Sequence, residues 1–155
     1  MKKYILALTI LINSISMQSQ SHQTNSDRYT RGWNKLQEID GEAGERVVNG
    51  LKDISPDLGR FIIEYSFGDV YSLPLLDNKS KEVAAVASLI AQRAVTEMKV
   101  HFNGAVNSGC TVTEVTELVL HLSVYVGVPK AILALNTHTK VFVERKGEGI
   151  IETQG

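Results

Sequence analysis

The stretch from Val112 to Val126 constrains the fold more than any other part of the chain, because it is apolar around nearly its whole helical circumference. Thr111, followed three residues later by Glu114, has the spacing of a capping box, so we expect a helix to begin there. One face of this helix carries Val115, Leu118, Val119, Leu122 and Val126. Outside that face lie three more apolar or aromatic residues, Leu120, Val124 and Tyr125. A helix that is apolar on most sides is buried on more than one of them, so this segment is predicted to be a central helix or a subunit interface.

Helical signals also account for the rest of the chain. An apolar stripe at helical spacing precedes Asp40 and Gly41, Pro56 stands at the first position of another helix, and Gly109 ends a later one. The predicted helices cover residues 28–39, 43–52, 55–65, 79–94, 95–108, 111–126 and 129–145, and residues 68–77 are predicted to form a loop. We find no convincing alternation with a period of two, so the sequence predicts an all-α domain of about six to seven helices.

The N-terminus has the pattern of a secretory signal peptide. Met1-Lys2-Lys3 precedes a short apolar run, which is too short to span a membrane well. Small residues at Ser14 and Ser16, and again at Ser19 and Ser21, suit cleavage after Ser16 or after Ser21. We therefore expect residues 1–21 to direct export, to the periplasm or outside the cell, and residues 28–147 to form the folded domain without stable membrane insertion. An uncleaved anchor is the alternative, and the polar run of residues 18–27 argues against it.

Charge and cysteine content exclude several classes of protein. The formal net charge of −1 leaves no basic surface to release counterions from phosphates, so we expect no nucleic-acid partner. Cys110 is the only cysteine, which rules out an intrachain disulfide, a zinc site built from thiolates and a CxxC redox pair. Any chemistry must then use oxygen groups and imidazole, most simply on a small-molecule substrate.

Acids and histidines stand at helical spacing inside two apolar helices. Glu97 and His101 are four residues apart, so they lie one turn apart on the same helix face. Glu117, His121 and Tyr125 repeat this spacing on the next helix. On spacing alone, an acid–histidine pair of this kind is a surface contact that stabilises a helix by about 0.2 to 0.5 kcal/mol.

Purely structural interpretations are also open for the other candidate residues. His121 fits a buried core histidine as well as a site residue, and Tyr125 fits the core with its hydroxyl group on one partner. Cys110, just before a helix cap, is expected to be a small packed residue, and His138 is expected on a solvated face.

Several motifs along the chain occur together: Arg28-Tyr29-Thr30-Arg31-Gly32, FGDVYSLPLLDNKSKE, EMKVHFNGAVNSGCTVTEVTE, YVGVPKAILAL and Val143-Glu144-Arg145. In this order and spacing they resemble the carboxymuconolactone decarboxylase family, and the resemblance covers nearly the whole mature chain. It implies the alkyl hydroperoxidase D-like fold, an all-helical protomer that assembles into trimers or hexamers.

The resemblance separates two branches of that family. The peroxidase branch has a glutamate, a Cys-x-x-Cys pair and a histidine. Glu82 and His101 stand at the positions of the glutamate and the histidine, but Ala94 and Glu97 occupy those of the cysteines. Because that peroxide chemistry needs a thiolate and a resolving thiol, we expect this chain to lack it.

The decarboxylase branch uses no cofactor, and it matches the Glu97-x-x-x-His101 helix. Loss of carbon dioxide leaves electron density that an electron sink must accept, so without a cofactor or metal motif the sink is a conjugated carbonyl or lactone of the substrate. The resemblance then makes His101 the proton donor, with Glu97 orienting its ring or raising its pKa. We predict that Glu82, His121 and Tyr125 form the polar rim of a mostly apolar substrate pocket. The expected activity is that of a cofactor-independent lyase or isomerase acting on an unsaturated lactone or related carboxylic acid.

Departures from the family pattern leave the substrate and two alternative functions open. Decarboxylases of the dicarboxylic lactone resemble one another in having arginines where this chain has Leu73 and Asn103, and another where it has Lys81. Those arginines are suited to hold substrate carboxylates. The alternatives are an antioxidant activity that uses Cys110 alone with an external thiol, and a non-catalytic oligomer that binds a small apolar ligand.

Overall fold

The computed structural model describes residues 27–147, and these form an all-α domain, as the sequence predicts. The first helix, α1, covers residues 27–39. The others are α2 (Glu42–Gly50), α3 (Pro56–Phe61) continued by a π-helical segment (Ile62–Tyr71), α4 (Asn78–Gln92), α5 (Val95–Asn107), α6 (Val112–Val126) and α7 (Val128–Gly147). The predicted signal peptide, residues 1–21, lies outside the described residues.

Helix ends fall where local sequence signals place them. Gly41 and Gly109 take positive φ values of 53° and 96°, which side chains disfavour, so the chain turns there after α1 and α5. The capping box at the start of α6 is formed in full: the Glu114 amide donates to Thr111 Oγ1 at 3.1 Å, and the Thr111 amide donates to Glu114 Oε2 at 2.7 Å. These contacts fix the α5–α6 connection.

Two apolar clusters form the interior. The larger is built from α4 to α7 and includes Val86, Ile90, Met98, Phe102, Val115, Val119 and Val141. The smaller joins α1, α2 and the π-helical segment through Leu36, Ile39, Val48, Ile63 and Phe67. The end of α1 reaches α5, where Asn107 Nδ2 donates to the carbonyl oxygen of Ile39 at 2.8 Å. The residues at this junction form the candidate site.

The predicted loop over residues 68–77 is wrong in its first part, because the chain stays helical through Tyr71. The π-helical turn lies against α1 at two glycines. A Cβ on Gly32 would lie 1.9 Å from the carbonyl oxygen of Ile63, and a Cβ on Gly68 would lie 2.7 Å from that of Arg28. Arg28 also pairs with Asp69, so packing and charge hold this segment in place.

Helix α6 is buried on one side only. Val115 and Val119 are in the core, whereas Leu120, Val124 and Tyr125 are 67%, 79% and 73% exposed. The sequence predicts either a central helix or a subunit interface, and the first of these is wrong for the protomer. The prediction that Tyr125 belongs to the core is wrong as well.

The prediction for His138 is wrong as well. Its imidazole is buried on α7 between the rings of Phe102 and Phe142, with ring centroids 5.3 and 4.1 Å away. Burial lowers the pKa of His138 to about 4, so the ring is a neutral core group at physiological pH. Phe142 lies one turn along the same helix, but Phe102 comes from α5, and the local sequence does not show this contact between helices.

No helix within residues 27–147 combines the length and the apolar character needed to cross a membrane.

The close contact at Gly32 can be tested directly. Gly32→Ala is expected to lower the free energy of unfolding by about 2 kcal/mol or more, since the new methyl group would overlap the Ile63 carbonyl and force α1 away. Gly50→Ala is the matched control, because nothing lies within 4 Å of the added Cβ. Urea denaturation would measure both variants, and equal stabilities would contradict the close approach of α1 to the π-helical segment.

Candidate active site

His101 and Glu82 form the centre of the site. His101 lies on α5, and its Nδ1 is 2.9 Å from Oε2 of Glu82, on α4. The Glu82 side chain has no exposure to solvent, and that of His101 is 22% exposed. Because a carboxylate only accepts hydrogen bonds, Nδ1 carries the proton of this contact. The other ring nitrogen, Nε2, is then the one left to act on a bound molecule.

Asp40 is a third member of this cluster. It follows the end of α1, is 5% exposed, and offers a carboxyl oxygen within 4.8 Å of ligand-type atoms of both Glu82 and His101. Gly104 provides the space, since a Cβ there would lie 2.6 Å from Glu82 Oε2 and 2.9 Å from Asp40 Oδ1. The three groups are close enough to share a cation, but the hydrogen bond between Glu82 and His101 makes them a proton-sharing cluster as they stand.

The electrostatics of the cluster favour a charged imidazole and keep a proton on Asp40 up to about neutral pH. Burial lowers the pKa of His101, but its hydrogen bond to Glu82 and the charges of Glu82, Asp40 and Glu97 outweigh burial, so the pKa is raised above its ordinary value. Burial raises the pKa of Asp40 to about 7; the charge of His101 lowers it and that of Glu82 raises it. Burial also raises the pKa of the Tyr71 hydroxyl group, as does the neighbouring Glu82 carboxyl group.

A small pocket of about 170 Å³ opens beside His101. Its walls are mostly apolar, and the polar side chains in them are those of Asp40, Glu97 and His101. The other residues that line the pocket are Leu36, Gly44, Val47, Ile62 and Val100. A proton donor therefore faces a confined and largely apolar space, an arrangement suited to general acid catalysis on a small molecule.

The structure brings three of the five predicted site residues together. Glu97 and His101 line the pocket, and Glu82 lies behind His101. The hydrogen-bond partner that orients the ring is Glu82, while the exposed Glu97 contributes charge. His121 and Tyr125 lie elsewhere, on the outer side of α6, where their ring centroids are 5.3 Å apart.

Asp40 and Tyr71 are the residues that sequence reasoning missed. Asp40 stands next to Gly41, so the sequence indicates only a helix end there. Tyr71 falls in the predicted loop. The sequence does hold one indication that Asp40 is buried. Asp40 follows Leu36 by four residues, so the apolar stripe of the helix places both on the buried side.

At two of the positions where the resemblance leads us to expect arginine, Lys81 and Asn103 make hydrogen bonds within the protein. Lys81 Nζ donates at 2.6 Å to the carbonyl oxygens of both Tyr71 and Leu73, so it holds the loop before α4. Asn103 Oδ1 accepts a 2.9 Å hydrogen bond from Arg145 on α7. Within residues 27–147, no lysine or arginine lines the pocket beside His101.

Cys110 lies away from His101, in the wall of a separate pocket of about 360 Å³ that His121 also lines. The thiol is buried, as expected for a packed residue, and burial raises its pKa. A higher pKa leaves less thiolate, the nucleophilic form, at neutral pH.

The Glu82–His101 contact predicts a shift that can be measured. Glu82→Gln is expected to lower the pKa of His101, because the variant loses the carboxylate that stabilises the imidazolium form. Glu97→Gln is the matched control, since Glu97 is the weakest of the charges that act on the ring. NMR titration of the imidazole would measure both, and a larger decrease in Glu97→Gln would contradict the assignment of Glu82 as the main partner.

Comparison with known proteins identifies the family of the chain. The model of the carboxymuconolactone decarboxylase family matches residues 56–138. The 4-carboxymuconolactone decarboxylase of Acinetobacter baylyi is 31% identical over 119 residues, which are 76% of this chain and 89% of that protein. The nitrosuccinic acid decarboxylase of Metarhizium robertsii is 33% identical over 108 residues, which are 68% of this chain and 76% of that protein. The all-α fold and these matches show that the chain belongs to the carboxymuconolactone decarboxylase family.

Proposed function

We propose that the protein is a cofactor-independent carboxy-lyase with His101 as its proton donor. The observation that carries the proposal is the buried Glu82–His101 hydrogen bond at the wall of a small apolar pocket. Membership in a decarboxylase family and two relatives named as decarboxylases support the reaction type.

The reaction requires a substrate that can hold electrons. Breaking the bond to the carboxylate releases carbon dioxide and leaves an electron pair, which the substrate must delocalise until carbon is protonated. The relatives' names point to an unsaturated lactone and a nitro acid, and both kinds of group accept electron density. The imidazolium form of His101, stabilised by Glu82, would supply the proton.

The lining of the pocket narrows the substrate class. A volume of about 170 Å³ suits a small molecule, and the side chains that line the pocket include two carboxyl groups but no lysine or arginine. His101 is the one basic side chain that lines the pocket among residues 27–147, so a second substrate carboxylate would lie beside Glu97 without a positive partner of its own. We propose a small acid that carries one carboxylate beside an unsaturated lactone or a similar electron sink.

Turnover of such acids tests the proposal. Wild-type protein should release carbon dioxide from an unsaturated lactone acid or a nitro acid, and His101→Gln should reduce kcat by about 100-fold or more, because the variant lacks the proton donor. Cys110→Ser is the matched control and should keep full turnover, since the thiol lies in a different pocket. Circular dichroism would confirm that both variants fold.

The same assay separates the alternatives. An antioxidant function would show peroxide consumption that depends on Cys110, which its buried thiol and raised pKa disfavour. A non-catalytic binding protein would be stabilised by the acids without releasing carbon dioxide. Full decarboxylase activity in His101→Gln would remove this site from consideration.

We also propose that the protein is a homo-oligomer, a trimer or a hexamer. Apolar side chains exposed in the protomer run from α6 into α7: Leu120, Val124, Tyr125, Val128 and Ile132. Burial of such a surface against a second copy would favour association by about 25 cal/mol per Å² before the costs of binding. Multi-angle light scattering should show that the wild type is an oligomer and that Val124→Asp weakens it. Ile54→Asp, at an exposed position between α2 and α3, is the control and should leave the oligomer intact. A monomeric wild type at micromolar concentration would refute the proposal.

Export is a further part of the proposal, and it rests on the pattern of residues 1–21 alone. Intact-mass measurement of the full chain expressed in a bacterial host should show removal of this segment and recovery of the protein outside the cytoplasm. Recovery of the uncut chain in the cytoplasm would contradict export.

A further inference from the structure

Asp40 is a buried carboxyl group to which the proposed reaction gives no role. It is 5% exposed, and its Oδ1 has no hydrogen-bond partner among residues 27–147. A buried polar atom without a partner costs free energy, so a native protein that retains one calls for a physical explanation.

The position of Asp40 beside Glu82 suggests the explanation. Asp40 Oδ1 and Glu82 Oε2 flank the same point in space, 2.9 and 2.6 Å from where a Cβ of Gly104 would lie. His101 is the cationic partner next to both. Two neighbouring buried carboxylates repel each other, so one positive imidazole balances one of them and the other is more stable with a proton.

Other ionisable groups around Asp40 come from every helix or segment packed near it. Besides Glu82 and His101, they are Tyr71, Glu42, Arg46, Glu97, Glu144 and Arg145. Arg46 pairs with Glu42, and Arg145 donates hydrogen bonds to Asn103 and Asn107. The charge that favours ionisation of Asp40 is that of His101, and burial together with Glu82 outweighs it.

Asp40 also connects two pockets. It lines the pocket beside His101 and a second pocket of about 210 Å³, whose wall includes Asn103, Asn107 and Arg145. Glu82 has no exposure to solvent and lines neither of these two pockets. Of the two carboxyl groups, Asp40 is therefore the one in a position to exchange protons with solvent.

We propose that Asp40 is the proton store of this site: it holds the proton that the cluster retains and passes it between solvent and His101. The value of this role for turnover rests on the proposed function. When the ring N–H bond breaks and its proton goes to the substrate carbon, the Asp40 O–H bond breaks and the imidazole N–H bond forms again. A proton taken up from bulk solvent through the second pocket then restores the Asp40 O–H bond, so each turnover consumes one solvent proton. In this role Asp40 does not act on the substrate itself and affects the reaction only through His101.

Infrared spectroscopy of the full chain locates the stored proton without any substrate. At pH 6 the wild type should show the stretching band of a buried protonated carboxyl group. Asp40→Asn should lose that band, and Glu42→Gln, which removes an exposed carboxylate next to the same helix end, should keep it. A band that is absent from the wild type, or that persists in Asp40→Asn, would overturn the proposal.

NMR of the His101 ring tests the exchange step. Asp40→Asn should lower the pKa of His101 less than Glu82→Gln does, because the charge of Asp40 acts on the ring less strongly than that of Glu82. It should also slow exchange of the ring N–H proton with water about 10-fold, because the variant cannot relay a proton. A fall as large as that in Glu82→Gln would show that Asp40 is ionised and stores no proton, and unaltered exchange would show that it relays nothing. Either result would refute the proton store, whereas failure to find decarboxylation would refute only the proposed function.

Discussion

The Glu82 carboxyl group, which has no exposure to solvent, is the feature on which the arrangement of the site depends. Burying a carboxylate costs several kcal/mol unless donors and opposite charge compensate for the lost water. Here the compensation comes from His101, on the neighbouring helix of the α4–α5 hairpin. The short connection between those helices therefore does more than pack two apolar faces together, because it also sets the distance between an acid and the base that stabilises it.

Most of the fold follows from local sequence signals. The capping box at Thr111, the glycines at positions 41 and 109 and the proline at position 56 act within one helical turn, so their effects are visible in the sequence itself. The sequence signals do not predict the π-helical segment, because it depends on contacts between distant parts of the chain. It depends on two glycines, Gly32 and Gly68, that let backbones from distant parts of the chain approach each other.

The same distinction explains how much of the site could be predicted. The family resemblance, together with their spacing on one helix, predicts Glu97 and His101 as site residues, and both line the pocket. Spacing also suggested Glu97 as the partner of the ring, but the hydrogen bond goes across to Glu82 on another helix. Asp40 joins from a third helix. Contacts between helices depend on packing, which no pattern within a single helix records. For that reason His121 and Tyr125 are predicted at the rim of the same pocket, yet they lie apart from His101.

The missing side chain at Gly104 links two positions that lie far apart in the chain. A Cβ there would lie 2.6 Å from a carboxyl oxygen of Glu82 and 2.9 Å from one of Asp40, so even an alanine at 104 would displace both acids. Glycine at position 104 is thus expected to accompany Glu82 among related chains, and a larger residue there would mark relatives in which this pair of buried acids is rearranged.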